Sequence, residues 1–182
     1  MTDIPTDSYC LLAAGHDFHG PYHDDEYGFP LTDDDELFGR LLLEINQAGL
    51  SWLTILKKRE GFRRAYDGFS IERVAAYGEE HRARLLADAG IIRNRLKVGA
   101  AIHNARQLLD MRGSHGSFSA WLDAHHPREK DEWVKLFKTT FRFTGGEITG
   151  EFLLSTGYLP GAHHPACPVY DQIAKLGPPW MR

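Results

Sequence analysis

Residues 32–49, TDDDELFGRLLLEINQAG, read as one amphipathic helix with both of its ends marked. Thr32 is placed to cap the N-terminus, and Asp33 to Glu36 fall in the first turn, where the helix dipole favours negative charge. Leu37, Phe38, Leu41, Leu42, Ile45 and Ala48 recur at helical spacing, and Gly49 can close the helix in a left-handed conformation. Outward from this helix the same period continues through nearly the whole chain. Ser51 caps a short helix through Lys58, and Gly61 and Gly68 punctuate another that carries Phe62 and Tyr66. Ser70 opens a helix with Ile71, Val74 and Ala75, and Arg82–Ala89 gives one that ends at Gly90. Asn94 through Met111 is longer, with Val98, Ile102, Ala105, Leu108 and Leu109 inward. Ser117–Ala124, Asp131–Phe137 and Ile148–Leu154 follow, ahead of a tail rich in Gly, Pro and His. Thr139–Thr144 alternates like a strand, but a lone strand has no partner. The expected fold class is all-α, a compact helical bundle.

At 182 residues, 42% hydrophobic and 25% charged, the composition is that of one globular domain spanning 1–182. No apolar run approaches the length that crosses a membrane. The N-terminal MTDIPTDSYC has neither a basic nor an apolar signal region, and with only two cysteines the expected location is the reducing cytoplasm. Of 25 acids and 21 bases, residues 1–46 hold eleven acids and one base, Arg40, so 14 acids and 20 bases follow. The later part of the chain can therefore face a polyanion despite a net charge of −4. Charges that merely solvate helix faces are the other reading.

The two cysteines, Cys10 and Cys167, lie near opposite ends, each with a histidine at metal-ligand spacing: His23 and His163. In a reducing compartment such a set favours metal over disulfide, and thiolate plus imidazole is the donor chemistry zinc prefers. Four protein ligands would make the ion structural and would tie the two tails together. His19 competes for the first pair, and two buried free thiols are the alternative.

Leu85–Lys97, LLADAGIIRNRLK, reads as a helix, a glycine turn and the start of a second helix. Gly90 permits the turn, and the amides of Ile91 and Ile92 would face outward as an anion site for one phosphate. Arg93, Arg95 and Lys97 add positive charge suited to a nucleic-acid backbone. An ordinary helix cap is the competing explanation. Glu44 is a single acid inside the apolar run LLLEI, with Trp52 two turns on and Tyr22, Tyr27 and Phe29 close to His23 in sequence. An acid with aromatic walls suits a pocket for a flat, hydrogen-bonding base, although a helix-surface carboxylate is commoner.

The run YHDDEYGFPLTDDDELFGRLLLEINQAGLSWLTILKKREGF (22–62), with DAGIIRNRLK and IHNAR after it, resembles the DNA-3-methyladenine glycosylase I family. The resemblance spans essentially the whole chain and is strongest over residues 21–106. It implies a helix-hairpin-helix DNA repair enzyme that flips 3-methyladenine out of alkylated double-stranded DNA and hydrolyses its N-glycosidic bond. The hairpin would lie at about 85–106, and a structural Zn2+ would be held by Cys10, His23, His163 and Cys167. By position, Glu44 is the catalytic residue and accepts hydrogen bonds from the flipped base; Tyr22 contacts it, Trp52 stacks on it, and Tyr27 joins them. A monomer is expected.

Departures accompany the match. Tyr9 and Leu12 stand where the family usually has arginine and tryptophan, and Tyr27 replaces a second tryptophan. FKTTFRFTGG and GEITGEFLLSTGYLPG differ from the family's usual segments. These changes lead one to expect a weaker aromatic enclosure. A lesion-binding homologue with altered catalysis and shifted base specificity is the alternative, and a zinc-clamped helical protein unrelated to nucleic acid comes third.

Overall fold

A computed structural model describes residues 4–182, and among these the regular structure is entirely helical. In chain order the α-helices are α1 (Tyr9–Ala13), α2 (His19–Asp25), α3 (Asp34–Gln47), α4 (Trp52–Ala65), α5 (Ile71–Ala75) and α6 (Glu79–Ala87). They continue with α7 (Arg95–His115), α8 (Phe118–His125), α9 (Lys130–Thr140), α10 (Gly146–Ser155) and α11 (Pro168–Lys175). No helix among the described residues is long and apolar enough to cross a membrane.

The centre is α3. Its Leu37, Phe38, Leu41, Leu42 and Ile45 are all buried, and α4, α5, α7, α8 and α10 pack around it. The acidic run at its start is less a solvated face than a junction. Asp33, not Thr32, is the N-cap, its carboxylate accepting from the Glu36 amide at 2.9 Å. The next acid caps a different helix: Asp34 accepts from the amides of Phe118 and Ser119 at 3.0 and 3.1 Å, at the start of α8. Asp35 accepts from the Ile71 amide at 2.9 Å, at the start of α5. Glu36 pairs with Arg63 of α4 at 2.8 Å. Three successive carboxylates thus satisfy orphan amides on three helices, which fixes their N-termini relative to one another.

Several boundaries differ from the expectation. Gly61 does not end a helix: α4 runs from the Ser51 cap straight through it to Ala65. A Cβ at Gly61 would stand 2.4 Å from the Gly90 carbonyl oxygen, so glycine here admits the α6–α7 turn against α4. The alternating stretch 139–144 is not a strand. Thr139 and Thr140 finish α9, and the chain then passes Asn104, buried on α7. The Asn104 side chain donates to the Arg142 carbonyl at 3.0 Å and accepts its amide at 2.8 Å, pairing with it as a neighbouring strand would. Helices α1, α2 and α11, which periodicity does not reveal, are short. Cys10, Cys167, Val169 and Ile173 form a small cluster of their own that holds the two tails together.

Candidate functional site

The two tails meet at four buried side chains, Cys10, His23, His163 and Cys167, whose ligand atoms all lie within 4.8 Å of one another. Cys10 Sγ is 3.9 Å from His163 Nδ1, and Cys167 Sγ is 3.8 Å from the same atom and 3.7 Å from His23 Nε2. These separations approach the edges, roughly 3.5 Å, of a tetrahedron with metal–sulfur and metal–nitrogen legs of about 2.3 and 2.0 Å. The far ring nitrogens are engaged as well. His163 donates through Nε2 to the Tyr27 carbonyl at 2.7 Å, and His23 Nδ1 meets the Asp24 carboxylate at 2.7 Å. With those tautomers, His163 Nδ1 and His23 Nε2 turn lone pairs toward the thiols. The cluster has the composition, closure and outer-shell support of a metal site. His19 stands outside it, bonded through Nδ1 to the Tyr9 hydroxyl at 3.0 Å.

Beside the cluster, between α3 and α10, opens a cavity of about 730 Å³. Adjacent residues of α2 divide the two features: His23 turns to the cluster, while Tyr22 turns to the cavity. Trp52, the first residue of α4, lies with its ring centroid 5.2 Å from that of Tyr22, and Tyr27 is 5.7 Å from Tyr22. Tyr9 completes the wall at 5.2 Å from Tyr27. Thus the aromatic enclosure is not depleted by the departures noted above, since Tyr9 and Tyr27 both line it. Leu12, 57% exposed, takes no part.

Glu44 lines the cavity from α3 at 3% exposure, and no hydrogen bond from the described residues reaches its carboxylate. Burial, reinforced by the charge of Glu151 and opposed in part by Arg40, pushes its pKa up to about 8. Arg40 is itself committed. It donates to the Ser155 carbonyl at 3.2 Å, pairs with Glu26 at 3.2 Å, and stands over the Tyr22 ring at 5.1 Å. Burial also holds the Tyr9, Tyr22 and Tyr27 phenols well above their ordinary range, so these rings are neutral walls and donors.

The cavity also carries a carboxylate that sequence reasoning missed. Glu151 of α10 lines the same cavity and accepts from the Tyr27 hydroxyl at 3.3 Å. Burial raises its pKa, the Tyr27 bond and Lys130 working against that rise. The signal was present: ITGEFLL isolates one acid in an apolar run just as LLLEI does.

The residues read as an anion site occupy the turn 88–94 between α6 and α7. Arg93 and Arg95 are exposed and Ile92 is partly so. Two of the turn's amides have partners already: Gly90 donates to Asp88 Oδ1 at 2.7 Å and Ile91 to the Asp88 carbonyl at 3.4 Å. Lys97 points the other way. It is buried, and its Nζ donates to the carbonyls of Asn46 and Ala48 at 2.8 and 2.7 Å. Its charge closes the C-terminus of α3 and is not offered to solvent.

Residues 13–142 match the family described as methyladenine glycosylase. DNA-3-methyladenine glycosylase 1 of Escherichia coli (strain K12) is 39% identical over 139 residues, 75% of this chain and 74% of that protein. Among solved structures, 3-methyladenine DNA glycosylase I from Staphylococcus aureus, reported for the structural basis of its 3-methyladenine recognition, superposes with a TM-score of 0.80. That match has 32% identity and covers 88% of this chain and 95% of the other. A crystal structure of 3-methyladenine DNA glycosylase I gives a TM-score of 0.77 at 35% identity, over 85% and 94% of the two chains.

Proposed function

The chain belongs to the methyladenine glycosylase family, and from that premise we propose that it is a base-excision repair enzyme releasing 3-methyladenine from alkylated double-stranded DNA. Methylation at N3 makes the base cationic in DNA. When the bond from C1′ to N9 breaks, the electron pair moves onto the base, which departs neutral, and water supplies the oxygen that joins C1′. Such a reaction needs shape, stacking and a nearby negative charge more than a strong nucleophile.

The observation that carries the reading is Glu44, a carboxylate buried in an aromatic-walled cavity without a hydrogen-bond partner among the described residues. It accepts hydrogen bonds from the flipped base and faces its positive charge. Tyr22, Tyr27 and Trp52 enclose the ring, with Trp52 as the stacking face. Helices α6 and α7 and their turn act as the helix-hairpin-helix element, contacting backbone phosphate through Arg93, Arg95 and the Ile92 amide. Zinc at Cys10, His23, His163 and Cys167 is structural; it clamps the segment that presents Tyr22 and leaves no ligand position for water. Both thiols and the absence of a membrane-crossing helix among the described residues fit work in the cytoplasm.

The test is release of free 3-methyladenine from methylated duplex DNA by purified protein, set against Glu44→Gln. Release at least about a hundredfold above the variant is expected. Tight lesion binding that leaves no abasic site would select a binding homologue instead, and no DNA affinity at low salt would remove nucleic acid from the account.

A further inference from the structure

Three carboxylates line the cavity, and the two that lie deepest in burial come from different helices. Glu44 lines it from α3 and Glu151 from α10, and the charge of Glu151 adds to the burial that disfavours the Glu44 carboxylate. Glu147, one turn before Glu151 on α10, also lines the cavity. The cations close by are Arg40, engaged with Glu26 and Ser155, and Lys130 of α9, whose side chain fills the space beside Gly150. Neither lines the cavity. Among the described residues Glu151 has a single hydrogen-bond partner, the Tyr27 hydroxyl donating at 3.3 Å, which leaves most of its acceptor capacity unused. Glu44 has none among them.

Acids on two helices with so few protein donors make a poor site for a neutral guest and a good one for a cation. A guest with fixed positive charge and an exocyclic amino group offsets their charge and supplies donors to the unused acceptors. Resting on the glycosylase reading of this cavity, we propose that Glu151 is a second base-reading carboxylate that restricts the pocket to purine bases carrying positive charge. The role differs from that of Glu44: Glu151 sets the preference for a charged over a neutral base and is a specificity residue. Tyr27 positions it, replacing a contact that a more weakly held carboxylate would make with water.

The experiment uses the full chain with its metal and two probes without a sugar, measured by calorimetry. One is the 3,9-dimethyladeninium cation, which carries the lesion's fixed charge; the other is neutral 9-methyladenine. The wild-type protein should bind the cation in clear preference, and Glu151→Gln should weaken the cation about tenfold while shifting the neutral base less than twofold. The amide keeps an oxygen for Tyr27, so the variant should fold; should α10 be disturbed, Glu151→Ser gives the same readout. Equal weakening of both probes, or of neither, overturns the proposal. The glycosylase reading fails separately. Charge-selective binding lost in Glu151→Gln, in a protein that excises nothing, keeps Glu151's role and removes the enzyme. Excision by a wild-type protein whose selectivity survives the substitution does the reverse.

Discussion

The Nζ of Lys97 lies 2.7 Å from the carbonyl of Ala48, a residue on the cavity rim, and 2.8 Å from that of Asn46. The first turn of α7 is therefore fastened to the last turn of α3, and the α6–α7 turn is held in fixed relation to the cavity mouth. A phosphate gripped by Arg93 and Arg95 would set the position of a flipped base relative to Glu44 through this one ammonium.

Lys97→Met should consequently lower stability by about 2 kcal/mol, because one buried and one part-buried carbonyl lose a charge-assisted donor. Denaturant unfolding measures the loss. Excision should decline as well, since the rim is no longer tied to the turn, while binding of a free base should change little.

Glu44 gives a pH signature. Its folded pKa of about 8 lies above its ordinary value near 4.5, so the native state holds a proton there that the unfolded chain has released. Stability contributed by this group therefore falls as pH rises from about 4.5 to 8. Glu44→Gln should be more stable than the wild type at pH 8 by on the order of 4 kcal/mol and nearly equal at pH 4. Unfolding curves at the two values check the sign. Excision that needs the carboxylate form should rise over the same upper interval.

Removing the metal, or one ligand by Cys10→Ser, should loosen the tails before it touches the chemistry. Metal content falling below one ion per chain should accompany a large drop in thermal midpoint, equivalent to roughly 3 kcal/mol or more. Elemental analysis alongside calorimetry reads both. Full thermal stability in a metal-free protein would contradict a structural ion.

Arg93→Ala combined with Arg95→Ala should weaken duplex binding about equally for damaged and undamaged sequences. The slope of log K against log salt should flatten by about 1 per arginine that contacts phosphate. A titration series over salt concentration measures it. Loss confined to damaged DNA would place these arginines at the base instead.

How far the sequence could be read depends on the kind of interaction. Helix α3 was legible because its signal is local: a stripe of Leu37, Leu41 and Leu42 and a terminal glycine. The cap slipped by one residue, from Thr32 to Asp33, because either side chain suits the position and packing chose between them. Gly61 was misread because a glycine that ends a helix and one that admits a neighbouring backbone look alike in one dimension. The alternation at 139–144 was real, but its partner was the amide side chain of Asn104, which no period reports.

The sequence by itself determined the all-helical class and Glu44 as an acid in an apolar run, and it offered Cys10, His23, His163 and Cys167 as donors with His19 still in competition. The first two follow from residue type and short-range spacing, which a chain carries wherever it folds; the closing of the four donors on one another is a tertiary fact. Only the tertiary structure decided that Glu151 shares a cavity with Glu44, that Tyr9 joins the aromatic wall, and that Lys97 serves α3 and not solvent. Each of those depends on which helices become neighbours, and that is settled by burying the apolar faces of α3, α7 and α10 together, not by any residue's own preference.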